Sequence, residues 1–374
     1  MTVPVAIARQ VTDTYSMQAI RQLQRILLLS LLVTGTVASE EMDQWTIDHD
    51  GVEREFFVHV PGDAAGELPV VLAIHGYTST ATGFEFAHDL NRHADQHGYM
   101  VIYPQGSHFQ ISNEQGESFL ITTWNPFGDA KPEPNAGPQC AADASEYPCP
   151  PECGECGRCG WASCYDDVGF FDKVLDLVES EYEVDAARVY ALGVSSGGHM
   201  LYRLVCSRSS RFAAVAPIIS QMPPGWACGP TTDLPMIHLF SGLDETIRPN
   251  GTAGKDDGFI YESAAATAAV WSEALECQNG PAPWKNEYSE SAGLVCTAYS
   301  DCNGKGNEVV GCLDPDGTHN WPEQELRGSW ATCVTAQQIE SMPDQLLCPP
   351  ATGERVHKGM DLVWDFFARY RIED

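Results

Sequence analysis

The segment Gly193-Val194-Ser195-Ser196-Gly197-Gly198 carries the sharpest chemical signal in this 374-residue chain. It places a serine between glycines at two residues before and two after, following the apolar run Arg188–Val194 (RVYALGV) and preceding a helical stretch, Ser196–Cys206. A strand that turns abruptly into a helix forces the serine into a strained backbone, tolerable only where close neighbours lack side chains. The hydroxyl then stands exposed at the helix N-terminus, where the helix dipole favours developing negative charge. A bare G-x-S-x-G arises often by chance, and the strand before and helix after are what make Ser195 a candidate nucleophile.

A serine hydroxyl becomes a useful nucleophile only beside a base, and the base needs a carboxylate to orient it. On a strand-turn-helix scaffold of this kind the partners follow in the chain order serine, acid, histidine. Ile237–Asp244 (IHLFSGLD) is an apolar strand running into a loop, with Asp244 near the tip, 49 residues after Ser195. His319 lies 75 residues further on, in the loop Gly317-Thr318-His319-Asn320-Trp321-Pro322. Glu245 and Asp316 are alternatives to Asp244. His238 reads as a core histidine inside a strand, and His199 as a helix residue facing away from the hydroxyl. Asp166 and Asp167 precede the serine and read as helix caps.

The oxyanion of an ester intermediate needs backbone N–H donors, one from the residue after the nucleophile and one from a loop after an early strand. Those are Ser196 and Tyr77, the latter in His75-Gly76-Tyr77 just past the buried run Pro69–Ile74 (PVVLAI). The Tyr77 side chain is placed to border an acyl pocket. Asp301-Cys302-Asn303-Gly304-Lys305-Gly306 resembles a calcium loop faintly, but Lys305 stands where a ligand is required, so the segment reads as a hairpin turn. Asn250-Gly251-Thr252 is a glycosylation sequon.

Export is the compartment these residues imply. Ile26–Ala38 (ILLLSLLVTGTVA), preceded by Arg21 and Arg25 and ending in small residues, reads as a secretory signal peptide over residues 1–38, with Met17 an alternative start. Fourteen cysteines fit an oxidising compartment, with up to seven disulfides. The dense run Cys149, Cys153, Cys156, Cys159, Cys164 has C-x-x-C spacings, but zinc ribbons need two separated pairs, so disulfides are expected and no metal. The formal charge is −31, and without residues 1–38 it becomes 18 basic against 51 acidic side chains, or −33. Such a surface repels nucleic acid and anionic membranes. The protein is expected to be extracellular or periplasmic, with no stable membrane insertion once the signal is cleaved.

Elements that must position these residues alternate along the chain. Strands are expected within Trp45–Val60, then at Pro69–Ile74, Tyr99–Tyr103, Arg188–Val194, Ala214–Ile219 and Ile237–Ser241, and around 293–300 and 308–312. Helices are expected at Phe84–His97, Asp166–Tyr182, Ser196–Cys206, Ser263–Leu275 and Lys358–Tyr370. Two irregular insertions, about 127–164 and 323–355, interrupt the pattern. The alternation predicts one domain, 39–374, of α/β class: a mostly parallel central sheet flanked by helices.

Several segments together resemble the secreted feruloyl esterase and poly(3-hydroxybutyrate) depolymerase family, a branch of the α/β-hydrolases. They are VVLAIHGYT at 70–78, TTWNPF at 122–127, the run 165–200 containing Ser195, FAAVAPI at 212–218, HLFSGLDETIRPN at 238–250, WSEALECQ at 271–278, GTHNWP at 317–322 and the final LVWDFFARY. Ser195, Asp244 and His319 match the triad positions of that family, and His75-Gly76-Tyr77 its oxyanion loop. Trp321 matches a tryptophan after the triad histidine, and Trp321, Tyr77 and Trp124 are the candidate substrate contacts. The resemblance implies an α/β-hydrolase fold and cofactor-free hydrolysis of carboxylic esters: feruloyl or acetyl groups on plant polysaccharides, or alternatively 3-hydroxyalkanoate polymers and oligomers. Both insertions are larger than usual for that family, and the second, beginning beside His319, is placed to form a wall or lid. No linker or polymer-binding module is read in the chain, which favours plant-derived esters. A serine peptidase and a catalytically dead binding protein on the same fold are the rival readings. Chain geometry pairs Cys296 with Cys312, Cys277 with Cys302, Cys206 with Cys228 and Cys333 with Cys348. Six cysteines in 140–164 are left with fifteen possible connectivities.

Overall fold

The computed structural model describes residues 42–373 apart from 64, 113, 114, 117, 128–135, 155, 157, 158, 227, 322–330, 344 and 350–357. The expected signal peptide lies outside the described residues, as does the part of the second insertion next to His319. From residue 41 onward the chain is one compact unit.

Strands β1 (Asp43–His49) and β2 (Val52–His59) form an antiparallel hairpin whose turn, Asp50-Gly51, has positive φ at both residues. β3 (Leu68–Ile74) and β4 (Met100–Pro104) are joined through α1 (Ala81–His88) and α2 (Leu90–His97). A separate hairpin follows, β5 (Ser107–Ser112) with β6 (Ser118–Thr123). After the first insertion come α3 (Asp167–Glu181), β7 (Val184–Val194), α4 (Ser196–Arg208), β8 (Ala214–Ile218) and β9 (Met236–Ser241). The chain ends with α5 (Ala264–Ala274), β10 (Asn279–Trp284), α6 (Glu287–Ser291), β11 (Val295–Cys302), β12 (Asn307–Asp314) and α7 (Lys358–Phe367).

Ten strands pair in the order β1-β2-β4-β3-β7-β8-β9-β12-β11-β10. The stretch from β4 to β12 is parallel throughout, with antiparallel strands at both edges. Strands buried on both faces read as continuous apolar runs, and every residue of β3, β4 and β8 is buried. Alternate side chains of β3 serve opposite faces. Val71 and Ala73 pack with Tyr99, Met360 and Phe366 under α1, α2 and α7, whereas Val70, Leu72 and Ile74 pack with Phe170, Leu204 and Trp271 under α3, α4 and α5. This is the doubly covered sheet of an α/β-hydrolase fold.

Five features depart from the sequence expectation. The helix expected over 84–97 breaks at Asp89, which adopts φ 52° and splits it into α1 and α2. The β5–β6 hairpin and the short α6 were not anticipated. Nor was β10, where Pro281 and Pro283 speak against a strand but are tolerated on a sheet edge. The two aspartates at the start of α3 divide their work: Asp166 caps the helix, accepting from the Gly169 N–H at 3.1 Å, while Asp167 is its first residue and no cap.

Asp167 is fully buried and pairs with buried Arg54 at 2.7 Å. Its other oxygen accepts the Asn125 N–H at 2.6 Å, and Arg54 also reaches the Gln105 carbonyl at 3.4 Å. Burial pushes the Asp167 carboxyl upward, and the facing guanidinium opposes that shift. Arg54→Met should therefore leave an uncompensated buried carboxylate and lower unfolding free energy by roughly 3–5 kcal/mol. Guanidinium denaturation of the disulfide-intact protein measures this, and a loss under about 1 kcal/mol would place the pair among exposed, weak ion pairs.

Candidate active site

Ser195, the residue between β7 and α4, has φ 56° and ψ −123°, a conformation costly for any residue with a Cβ. What holds it there is the closeness of its surroundings. A Cβ on Gly193 would lie 2.3 Å from the Gly197 carbonyl oxygen, and one on Gly197 would lie 2.3 Å from the Ile74 oxygen. The two flanking glycines are thus required by contact, and α4 is packed directly on the end of β3. The Ser195 N–H donates to the Ile218 carbonyl at 3.0 Å, which ties the turn to β8.

The acid and base arrive from the same, carboxyl, edge of the sheet, on loops after β9 and β12. These loops are zipped together: Gly242 N–H donates to Asp314 O at 2.8 Å and Leu243 N–H to Gly317 O at 2.9 Å. His319 Nδ1 lies 2.7 Å from Asp244 Oδ2, and His319 Nε2 lies 2.9 Å from Ser195 Oγ. The other Asp244 oxygen accepts the N–H groups of Thr246 (2.8 Å) and Ile247 (2.9 Å). A carboxylate against Nδ1 fixes the proton on that nitrogen, so Nε2 presents its lone pair to the serine hydroxyl. Glu245 instead pairs with Lys255 at 2.6 Å in solvent, and Asp316 is exposed. Of the three weighed carboxylates, Asp244 is the one that meets His319.

The loop after β3 lies against the nucleophile, since a Cβ on Gly76 would be 3.5 Å from that of Ser195. Thr78 N–H donates to Thr122 O and Ser79 N–H to Gly76 O, while the N–H groups of Tyr77 and Ser196 have no partner among the described residues. His75 anchors the loop from beneath. Its Nε2 accepts the Gly106 N–H at 2.9 Å, so Nδ1 carries the proton and donates to Gly76 O at 2.8 Å. Trp124, a candidate substrate contact, is wholly buried and its indole N–H donates to His75 O at 2.8 Å. It sits under the loop and does not face the cleft. Trp321 is also buried, at 1% exposure, with its ring 5.1 Å from that of His88. Both indoles are packing groups here, because no solvent-facing surface is left on either.

A wall of aromatic rings, not foreseen from the sequence, stands beside the triad. Tyr77 stacks on Trp161 at 5.9 Å, and Tyr147 meets Tyr77 edge-on at 5.7 Å. Trp161 contacts Phe259 at 5.3 Å and His199 at 6.2 Å, and His199 stacks on Tyr261 at 5.0 Å. Ile247, whose own N–H donates to Asp244, belongs to the same cluster. The wall is therefore shared by Tyr77 of the loop after β3, His199 of α4 and Ile247 of the loop that carries Asp244. Trp161 and Tyr147 come from the cysteine-rich insertion, where Cys140–Cys159 packs against the cluster. Three buried polar atoms along it, Tyr77 Oη, His199 Nε2 and Asp257 Oδ2, have no protein partner. Burial raises the Asp257 carboxyl. The only sequence signal for this wall was a tryptophan beside the last cysteines, in a stretch without periodicity.

All fourteen cysteines are paired. The four pairs expected from chain geometry are present, and the remaining six form Cys140–Cys159, Cys149–Cys156 and Cys153–Cys164. The described part of the second insertion, closed by Cys333–Cys348, is docked on residues 79–83: Thr80 N–H donates to Ala331 O at 3.0 Å and Ser79 Oγ to the same oxygen at 2.7 Å. It braces the segment leading from the loop after β3 into α1.

Three histidines are buried and held neutral by loss of hydration: His75 at about 4, His199 and His238 at about 3. In the unfolded chain each returns to 6.5. Between these limits the unfolded state binds more protons, so stability is complete above about pH 6.5 and falls as pH drops toward 4. The urea midpoint should be flat from pH 7 to 8 and decline below 6.5, and His238→Gln should remove about one proton from the uptake on unfolding. A midpoint insensitive to pH over that window would contradict the buried neutral state.

No protein-family model matches the chain. Among curated proteins it is 26% identical over 266 residues to the esterase NocK of Nocardia uniformis subsp. tsuyamanensis, covering 68% of this chain and 65% of that one. It is 29% identical over 163 residues to feruloyl esterase C of Emericella nidulans, with 43% and 53% covered. To poly(3-hydroxyalkanoate) depolymerase C of Paucimonas lemoignei it is 22% identical over 228 residues, with 61% and 45% covered. The chain thus spans less than two thirds of the length of these relatives. An acetyl xylan esterase structure from Aspergillus awamori aligns at TM-score 0.48 and 16% identity, over 80% of this chain and 98% of that one. At these low identities the chain is a distant homologue of α/β-hydrolase-fold esterases.

Proposed function

We propose that the protein is a secreted serine hydrolase of carboxylic esters, with Ser195 as nucleophile, His319 as general base and acid, and Asp244 as the orienting carboxylate. The observation that carries this is the continuous hydrogen-bond chain Asp244–His319–Ser195, at 2.7 and 2.9 Å, on a strained strand-to-helix turn. His319 Nε2 takes the hydroxyl proton as Ser195 Oγ attacks the ester carbonyl. The imidazolium is stabilised by buried Asp244, and the N–H groups of Ser196 and Tyr77 receive the oxyanion. His319 then gives its proton to the departing alcohol, and a water activated at the same nitrogen releases the acid. Pairing of all fourteen cysteines supports an oxidising compartment. Among the described residues no helix is long and apolar enough to cross a membrane.

For the substrate, a feruloyl or other hydroxylated aromatic acyl group on plant polysaccharide is the reading favoured by the ring wall and its unpaired polar atoms. A flat ring stacks on Tyr77 with its edge toward Tyr147, and a ring hydroxyl finds the Asp257 carboxyl or Tyr77 Oη at the wall. The named esterase and depolymerase relatives support an ester bond as the target and leave acetyl and 3-hydroxyalkanoate esters as the competing substrates.

Two variants separate chemistry from specificity. Ser195→Ala should abolish fluorophosphonate labelling and lower kcat on every ester by roughly 10⁴-fold or more. Tyr77→Ala retains the backbone N–H, so it should reduce kcat/KM for methyl ferulate by about tenfold or more while p-nitrophenyl acetate changes by less than about threefold. Equal losses on both esters would assign Tyr77 to loop geometry. Stronger turnover of acetylated xylan or 3-hydroxybutyrate oligomers than of methyl ferulate would overturn the acyl-group reading while leaving the triad intact.

A further inference from the structure

On the face of the sheet covered by α2 and α7, three ligand-type side chains converge outside the site described above. His93 and His97 stand four residues apart on α2, one turn above each other, and Asp361 projects from α7. His93 Nε2 is 3.2 Å from Asp361 Oδ1 and His97 Nε2 is 3.9 Å from the same oxygen. The three ligand atoms all lie within 4.8 Å of one another. His93 is wholly buried, whereas His97 and Asp361 are each about one third exposed, at 31% and 28%. On its other side His93 Nδ1 meets the Tyr99 hydroxyl at 2.7 Å, and Trp364 stacks on Tyr99 at 4.2 Å.

We propose that His93, His97 and Asp361 bind one divalent cation of the zinc class, joining α2 to α7. Two imidazoles and a carboxylate suit zinc or its first-row neighbours and not the oxygen-preferring calcium and magnesium. Tetrahedral zinc, with bonds of about 2.0–2.2 Å, needs ligand atoms roughly 3.3 Å apart, so the His93–Asp361 separation already fits. The His93 and His97 rings now stack at 4.1 Å with planes 20° apart, and a metal must lie in the plane of each. His97 supplies that adjustment: it is the last residue of α2, followed by Gly98 in a left-handed conformation, and its side chain reaches solvent. His93 needs none, because the Nδ1 contact with Tyr99 orients its ring with Nε2 toward Asp361, the outer-sphere arrangement that fixes a ligating histidine. Water completes the coordination on the exposed side.

Among the described residues, neither of the two other clusters of ligand-type groups competes well. Cys149, Cys153 and Cys156 are all consumed by disulfides. His49, Asp50 and Asp166 offer a single nitrogen beside two exposed carboxylates, one of which caps α3.

The test is calorimetric titration of the disulfide-intact, chelator-treated protein with zinc chloride, alongside His97→Ala and Asp361→Asn. Wild type is expected to bind one equivalent at micromolar or tighter affinity, and its Tm to rise with zinc. Both variants should lose that equivalent and the Tm response while keeping wild-type ester hydrolysis, and calcium and magnesium should bind to none of the three. Cobalt in place of zinc should give the visible absorption of a tetrahedral nitrogen–oxygen site in wild type only. Absence of binding by wild type, or an equivalent retained in His97→Ala, overturns the proposal. Because ester hydrolysis is measured separately, failure of the metal site leaves the proposed function standing, and the converse holds too.

Discussion

Everything at the candidate site depends on how closely α4 approaches the end of β3. With the Gly197 Cα facing the Ile74 carbonyl, there is no room for a Cβ, and none for one on Gly193 facing the Gly197 carbonyl. This contact forces the chain to reverse within a single residue, and Ser195 absorbs the strain at φ 56°. Strain of this sort persists only where surrounding structure over-determines it. Here the fully buried strands β3 and β8 do so from either side, β3 through the close approach and β8 through the bond from Ser195 N–H to Ile218 O. The same reversal brings the first N–H of α4 next to the hydroxyl and opposite the loop after β3. The placement of the Ser195 hydroxyl and that of the first N–H of α4 are thus two outcomes of one packing constraint.

The loop opposite the nucleophile is supported by a polar chain that runs through the interior. Arg54 on β2 holds Asp167, Asp167 holds the Asn125 backbone, neighbouring Trp124 holds His75 O, and His75 holds Gly76 O. Each member is buried or nearly so, and each link satisfies a group that would otherwise lose hydration without return. A buried ion pair is weak evidence for net stability. Its value here is positional: it sets the height of the 124–125 segment, and through Trp124 and His75 the position of Gly76 against Ser195. His75 can fill its place only in the neutral form, since its Nε2 must accept from Gly106, which agrees with its depressed proton affinity.

The legibility of this protein in its sequence follows the range of the interactions involved. Ser195 was readable because the elbow is local: strand, two glycines and helix all fall within some twenty residues. His319 and Asp244 were readable because chain order on this scaffold is restricted and both sit at strand ends, although Glu245 and Asp316 were separable only once the loops were seen to zip. The sheet was readable from continuous apolar runs such as those of β3 and β4. What escaped was non-local or irregular. Asp167 has the sequence context of a helix cap, and only its burial against Arg54, 113 positions away, shows otherwise. Trp124 and Trp321 fell in segments resembling a family's conserved surroundings of the site, yet that neighbourhood includes the packing beneath the cleft. The edge strand β10 carries two prolines, and the aromatic wall lies in stretches where no period exists to be read.

Disulfides follow the same logic. Hairpin and loop-closing pairs such as Cys296–Cys312 were legible because β11 and β12 bring them opposite each other in register. The six cysteines of the first insertion had no such ruler. Among the described residues, their pairing braces a segment that contributes no strand to the main sheet. Cross-linking lowers the entropy cost of fixing it, and the residues so fixed, Tyr147 and Trp161, are those that back the Tyr77 ring. The Ser195–His319–Asp244 geometry is built by the sheet and its loops, whereas the ring wall beside it draws Tyr147 and Trp161 from an insertion held by three disulfides. On the proposed function, activity on small esters and selectivity among acyl groups would consequently be separable, resting on different forces.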